Sequence, residues 1–272
     1  MVDFGFDTLD LDKKLLLWVS GGRDSTAMAL VLYDYLNKTK KKANVLLLTT
    51  YTYYNKLENL AVVDRLSEYT GFPKERVYYQ GEIRPGKIMN ISFKTIPRAL
   101  RAKQYEDCQS VKKYFLCCKA LKHKPAKKYL KDIPVDSVIN FLGFAKADKA
   151  SHRGWRLSQI RDSSTFYRYL TEFYGHAYFY PLRDAEQDNI DAILDKHGFG
   201  DISSSGCRIC PLFLIQDWSK KDRDSDKKSK WVAVKLGVDP RPDNQASVME
   251  FDGIDSETDL IIEIQKGLGE TE

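Results

Sequence analysis

The chain has 272 residues, of which 43% are hydrophobic and 30% charged, with a net charge of +5. This balance fits a globular protein of one large domain or two small ones, and it excludes collagen-like, mucin-like and wholly disordered chains. No apolar run approaches the ~18 residues of a transmembrane helix. The charged residues among the first twelve are all acidic, without a basic-then-apolar leader, so a cytoplasmic protein is expected. Five cysteines are too few for a disulfide scaffold, and closely spaced ones then point to metal or redox chemistry.

Residues 15–19 (LLLWV) form a short continuous apolar run, the pattern of a strand buried on both faces. A polar, glycine-containing turn follows at 20–25. Residues 26–36 are apolar nearly all round and read as a buried helix, ended favourably by Lys38, Lys40, Lys41 and Lys42. Residues 45–50 make a second buried strand, 58–69 an amphipathic helix stopping at Gly71, and 77–79 a third strand. This alternation predicts an α/β fold with a parallel twisted sheet flanked by helices. Beyond it, 92–101 and 110–121 read as helices, and Pro125 opens a further one through Leu130. Residues 137–144 give a fourth strand ending in a glycine turn. A polar stretch covers 146–164, and 188–197 is an amphipathic helix with Gly198 near its end. Residues 203–206 (SSSG) form a loop into Cys207. The mixed charges of 219–230 have no core, so an exposed loop or disorder is expected there. The organisation expected is a nucleotide-binding domain over 1–218 and a partly flexible extension over 219–272.

The string Ser20-Gly21-Gly22-Arg23-Asp24-Ser25-Thr26 lies between a buried strand and a buried helix. In a parallel sheet that places it at the ligand crevice beyond the carboxyl ends of the strands. Glycines turn the backbone sharply and leave its N–H groups uncovered. With the Ser20 and Ser25 hydroxyls and the helix start, these make an anion site. Asp24 would repel phosphate alone but suits a Mg²⁺ ion bridging to it. The plainer alternative is a strand-to-helix turn whose Gly pair serves geometry and whose Ser and Asp cap the helix. The string is neither a Walker A loop nor a GxGxxG fingerprint.

Cys117-Cys118 and Cys207-x-x-Cys210 form two tight pairs, with Cys108 left over. A CxxC turn sets two thiolates on one ion or cluster, so a Cys₄ zinc site and an iron–sulfur cluster both fit. Unpaired structural cysteines are the bland alternative. Eight lysines and no acidic residue occupy 112–131, interleaved with Tyr114, Phe115 and Tyr129. They suit thiolates and a cluster, a nucleotide or nucleic-acid backbone, or simply a solvated helix face. His176 and His197 read as surface or cap residues, and His152 as a candidate for substrate contact.

The SGGRDS string resembles the PP-loop of the ATP pyrophosphatase superfamily, written SGGxDS. With Cys-Cys and then Gly206-Cys207-Arg208-Ile209-Cys210-Pro211, the chain resembles the phosphoadenylyl-sulfate (PAPS) reductase family across residues 14–215. Looser matches are Gly143 with Lys146-Ala147-Asp148 and Ser151-His152-Arg153, and Tyr180-Pro181-Leu182 with Asp188, where Ala185 stands in place of a usual Trp. The resemblance implies a PP-loop (adenine nucleotide alpha hydrolase-like) fold and cleavage of ATP between its α and β phosphates. It assigns ATP binding to Ser20, Gly21, Gly22, Arg23, Asp24, Ser25, Thr26, Thr49 and Gly143. Catalysis falls to Asp24, Lys146 and Arg153, and a [4Fe-4S] cluster, or zinc, to Cys117, Cys118, Cys207 and Cys210. The family's reductases carry a catalytic cysteine near the C-terminus, and no cysteine follows Cys210 here. That favours relatives using ATP and Mg²⁺ for sulfur transfer, as in DNA phosphorothioation or tRNA thiolation. A nucleic-acid acceptor and a sulfur donor such as a cysteine desulfurase are then the expected partners. An adenylyl-sulfate-type reductase and a non-catalytic ATP-binding or iron–sulfur subunit are the alternatives.

Overall fold

The structure is a computed structural model describing residues 4–83, 85, 88, 116–146, 166–168, 175–203, 205 and 207, with the backbone alone at 116 and 166–168. It divides into two compact units. The first comprises Met1–Thr50, Lys56–Tyr78 and Lys124–Gly206, and the second Tyr51–Asn55, Tyr79–His123 and Cys207–Glu272.

The elements in order are β1 (Lys14–Trp18), α1 (Arg23–Thr39), β2 (Asn44–Tyr51), α2 (Leu57–Thr70), β3 (Lys74–Tyr78), α3 (Lys124–Lys131), β4 (Val138–Leu142), β5 (Phe166–Arg168), β6 (Ala177–Phe179) and α4 (Gln187–Lys196). The strands form one sheet in the order β3-β2-β1-β4-β6-β5. β1 pairs in parallel with β2 and β4, and β4 in parallel with β6.

The Leu-rich strands are buried on both faces, as their unbroken apolar runs require. Leu15, Leu17, Val45, Leu47, Ile139 and Phe141 pack on one side with apolar residues of α1, α2 and α4. Leu16, Leu46, Leu48 and Val138 pack on the other with Leu130 of α3. At the centre, buried Asn140 of β4 accepts from Trp18 Nε1 at 2.9 Å and donates to the Ala177 carbonyl at 3.3 Å. A polar side chain in the sheet thus has partners on both neighbouring strands. α2 ends at Gly71 (φ 71°), as the sequence predicts, whereas α1 ends at Lys40 (φ 55°).

Three expectations change. The sheet is not wholly parallel, because the edge strand β5 runs antiparallel to β6. At three residues each, β5 and β6 are too short to show a periodicity. Pro125 lies in the first turn of α3, as expected, but that helix is not separate from the helical residues before it. Leu116–Cys118 is helical, Lys119–His123 is a π-helical turn, and α3 follows without a gap. The wider turn accommodates the proline ring and its missing N–H. His176 is fully buried rather than at the surface, with Nε2 3.0 Å from the Leu130 carbonyl oxygen. His197 is a cap residue as expected, following α4, but its side chain is covered and meets Asp34.

The helix expected at 92–101, most of that at 110–121, most of the polar stretch and the extension over 219–272 lie outside the described residues. Among the described residues, no helix is long and apolar enough to cross a membrane.

Candidate functional site

The strand order reverses at β1. The chain moves outward through β2 to β3 on one side, then returns to place β4 on the other. Trp18 is in register with Leu48 and with Leu142, so β1 and β4 finish level while β2 runs on to Tyr51. The segments beginning at Val19 and Gly143 therefore leave the sheet side by side, with Thr49 of β2 next to them, at a topological switch point, where open α/β sheets bind ligands.

Ser20–Thr26 occupies this point and is braced from within. Ser25 Oγ accepts from the Ser20 N–H at 3.1 Å, lies 3.1 Å from Ser20 Oγ and donates to the Gly22 carbonyl at 3.1 Å. The Ser20 amide is thus spent inside the loop, not offered to a ligand. Buried Thr49 donates its hydroxyl to the Val19 carbonyl at 3.0 Å, steadying the strand end. The Gly22 carbonyl also accepts the Thr26 N–H at 3.0 Å, the first bond of α1. Because a peptide is planar and trans, the Arg23 N–H points the opposite way, out of the helix N-terminus. The Gly21 carbonyl accepts from Asn59 Nδ2 at 2.9 Å, so the Gly22 N–H likewise points away from α2. Two successive amides at a helix start, with the positive end of its dipole, make an anion site. Asp24 is in the first turn of that helix.

Close packing explains the glycines. Gly21 sits at φ 72°, and a Cβ there would lie 1.9 Å from the Asn59 carbonyl oxygen. A Cβ on Gly22 would lie 2.7 Å from the Ser205 backbone nitrogen, so Ser205 approaches the loop directly. A Cβ on Gly143 would lie 2.8 Å from the Asp24 carbonyl oxygen. The structure thus brings Gly143 and the loop together.

Other assigned residues sit differently. Arg23 turns its guanidinium to Asp191 of α4 and to the Gly200 and Ile202 carbonyls, both at 3.2 Å. Those bonds hold the Asp191 carboxyl below the usual carboxylate range, helped by Gln187. The Arg23 side chain therefore ties α1 to α4. Lys146 pairs with Glu186 at 2.7 Å on the surface, and this bond raises its pKa. Arg153 and His152 lie outside the described residues. Asn59 was not singled out from the sequence. Its signal is a carboxamide at the start of the buried α2 face shared by Leu60, Val63, Leu66 and Thr70.

The described cysteines belong to the second unit. Cys117 is buried and Cys118 half-buried. Cys118 is held above the usual thiol range by its hydrogen bond with Cys117 and then by burial, while Lys122 pulls the other way. The expected effect of a nearby lysine on the thiol is present at Lys122, and the Cys117 bond and burial outweigh it. Cys207 forms an isolated antiparallel bridge with Asn55, and its Sγ lies 3.9 Å from Thr52 Oγ1. Asn55 Oδ1 accepts from the Thr52 N–H at 2.7 Å and its hydroxyl at 2.9 Å, forming a compact turn beside the sulfur. Among the described residues, no three or more His, Cys, Asp or Glu side chains gather as a metal site. Cys210 and Cys108 lie outside those residues.

Of the lysine-rich segment, Lys119, Lys124, Lys128 and Lys131 are exposed while Pro125 and Leu130 are buried, so the amphipathic helix face is present. Tyr129 lies between, donating to Glu75 at 3.0 Å. Its pKa is raised to about 12, first by burial and then by that carboxylate.

No protein-family model and no curated protein matches the sequence. Solved structures do match. The U34-tRNA thiolase NcsA from Methanococcus maripaludis, solved with its [4Fe-4S] cluster, is 13% identical, with 99% of this chain and 77% of that one covered and a TM-score of 0.50. The PAPS reductase from Candida auris, in a phosphate complex, is 14% identical over 72% of this chain and 76% of that one, at a TM-score of 0.43. The NMN synthetase from Francisella tularensis is 12% identical over 71% and 66%, at 0.39. At such identities the likeness concerns the fold alone. The fold is an α/β architecture, a mainly parallel sheet flanked by helices.

Proposed function

We propose that the protein is an ATP pyrophosphatase that adenylates an acceptor for sulfur transfer, with nucleic acid as the acceptor, in the manner of DNA phosphorothioation or tRNA thiolation. The observation that carries this reading is the loop at the switch point, with the Gly22 and Arg23 amides directed out of it and Asp24 in the first turn of α1. The two amides stabilise negative charge on the phosphates. In-line attack by an acceptor oxygen on the α phosphorus breaks its bond to the bridging oxygen, and pyrophosphate leaves with the electron pair. Sulfur then displaces the adenylated oxygen, and AMP departs. Mg²⁺ held by Asp24 would neutralise charge on the triphosphate.

Lys146 and Arg153 are the further cations this reading assigns to the phosphates. The Lys146–Glu186 pair is exposed, and such pairs are weak, so its exchange for a phosphate is inexpensive. Cys117, Cys118, Cys207 and Cys210 are assigned to a [4Fe-4S] cluster, with zinc as the alternative. Thr52 beside Cys207 Sγ would then be a hydrogen-bonding neighbour of one ligand. The exposed lysines of α3 suit a phosphodiester backbone. The sulfur donor is a persulfide carrier of the cysteine desulfurase kind: its terminal sulfur attacks the activated atom as AMP leaves with the former acceptor oxygen, and an external thiol reductant then cleaves the resulting disulfide, supplying the two electrons that bring the sulfur to the sulfide level.

The test is anaerobic purification, metal analysis and pyrophosphate release from MgATP. The expected result is about four irons per chain, with ATP-dependent pyrophosphate release lost in the Asp24→Asn variant. One zinc per chain removes the cluster from the reading and leaves the adenylation standing. Sulfite formed from adenylyl sulfate, without pyrophosphate from ATP, overturns the reading in favour of a reductase.

A further inference from the structure

We propose that Asn59 is the positioning residue of the anion loop: its buried carboxamide holds the Gly21 carbonyl toward α2 and so aims the Gly22 amide at the phosphates of a bound nucleotide. This rests on Ser20–Thr26 being the phosphate loop. The peptide between Gly21 and Gly22 has no Cβ on either side and is free to rotate more than any other in the loop. It has two useful orientations, related by a flip. One presents the carbonyl oxygen to the crevice and repels an anion; the other presents the N–H and attracts it. Nothing within the Gly-Gly sequence chooses between them. Asn59 chooses, because its Nδ2 donates to the Gly21 oxygen at 2.9 Å.

Two further observations support a dedicated role. The Asn59 backbone carbonyl lies 1.9 Å from where a Gly21 Cβ would be, so the first turn of α2 is in direct contact with the loop. In addition, Asn59 is 2% exposed, and its Oδ1 has no hydrogen-bond partner among the described residues. A buried carboxamide with one idle oxygen is a poor packing choice. Leu60, Val63 and Leu66 on the same face show what packing alone would select. The amide is explained by its donor, the half that faces the loop.

The test compares MgATP binding by calorimetry in the wild-type chain, Asn59→Leu and Asn59→Asp. Asn59→Leu preserves bulk and removes the donor, so affinity falls by about tenfold or more, the value of one good hydrogen bond. A merely structural role would lower the unfolding midpoint without changing the dissociation constant of the folded protein. If Asn59→Leu does not fold, Asn59→Asp decides. Ionised, its carboxylate only accepts and opposes the Gly21 oxygen; protonated, it regains a donor. The ratio of its dissociation constant to the wild-type value is therefore expected to fall as pH is lowered from about 8 to about 5. Asp24 and the triphosphate titrate in both proteins, so they drop out of that ratio. Wild-type binding of MgATP with folded variants within about twofold of it, and a flat ratio, overturns the role of Asn59 alone. Absence of wild-type binding to both MgATP and pyrophosphate overturns the phosphate-loop reading, and this inference with it.

Discussion

Gly21→Ala has a cost that can be worked from the structure, with a control in the same chain. Gly21 and Gly71 have nearly the same backbone angle, φ 72° and 71°. Alanine in the left-handed region costs roughly 1–2 kcal/mol at either site. The surroundings differ. A Cβ on Gly71 meets nothing within 4 Å, whereas one on Gly21 lies 1.9 Å from the Asn59 carbonyl oxygen, 2.6 Å from its carbon and 2.9 Å from its Cα. That obstacle is helix backbone, so no rotamer change relieves it. Either α2 or the loop must move by about 1.5 Å to restore ordinary contact, breaking the bond from Asn59 Nδ2. Adding overpacking at about 1–3 kcal/mol and the lost buried hydrogen bond at about 1 kcal/mol puts Gly21→Ala roughly 2–4 kcal/mol beyond Gly71→Ala. Urea unfolding of the two variants, read by circular dichroism, measures the difference. Equal destabilisation would refute the close approach of α2 to the loop and the argument built on it. The folded fraction of Gly21→Ala should also fail to bind MgATP, while Gly71→Ala binds normally.

Ser25→Ala removes the hydroxyl on which three loop bonds converge; nucleotide affinity should fall about tenfold in calorimetry, and unchanged affinity would show that the brace is not needed. Arg23→Met should destabilise the fold by about 1–2 kcal/mol through the lost Gly200 and Ile202 bonds, yet leave the MgATP dissociation constant of the folded protein unchanged; a selective loss of affinity would return Arg23 to the ligand. The Asp191 carboxyl is depressed in the fold, so its stabilisation is present above its unfolded pKa of about 4 and is lost as pH falls through the lower folded value. The stability gap between wild type and Arg23→Met should accordingly narrow on acidification below that point; a gap that widens would contradict the ion pair. His176→Leu removes one of the two hydrogen bonds at the Leu130 carbonyl, which keeps the Ile133 N–H at 3.2 Å, and should cost about 1 kcal/mol in urea unfolding, whereas a surface histidine would cost nothing measurable.

Much of the first unit was legible in the chain because its signals are local. The Leu-rich runs of β1 and β2 can be buried only in a sheet covered on both faces, and Gly71 stops α2 by adopting a conformation other residues resist. The short strands β5 and β6 were not legible, since three residues hold no period and take their place from the neighbour they pair with. His176 looked like a surface residue because histidine usually is one. Its burial depends on the Leu130 carbonyl, 46 residues away in sequence.

The candidate site divides in the same way. The sequence alone determined that a glycine-rich, hydroxyl-bearing turn stands between a buried strand and a buried helix, and that two close cysteine pairs exist, because those are facts of adjacency. Which groups of the turn face outward was decided by tertiary structure. The Ser20 amide is consumed by Ser25, the Arg23 guanidinium is drawn to α4, and the Gly21 carbonyl is turned by Asn59. Hydrogen-bond partners 5, 168 and 38 residues distant set those directions. A backbone dipole has no preferred direction until folding brings it a partner.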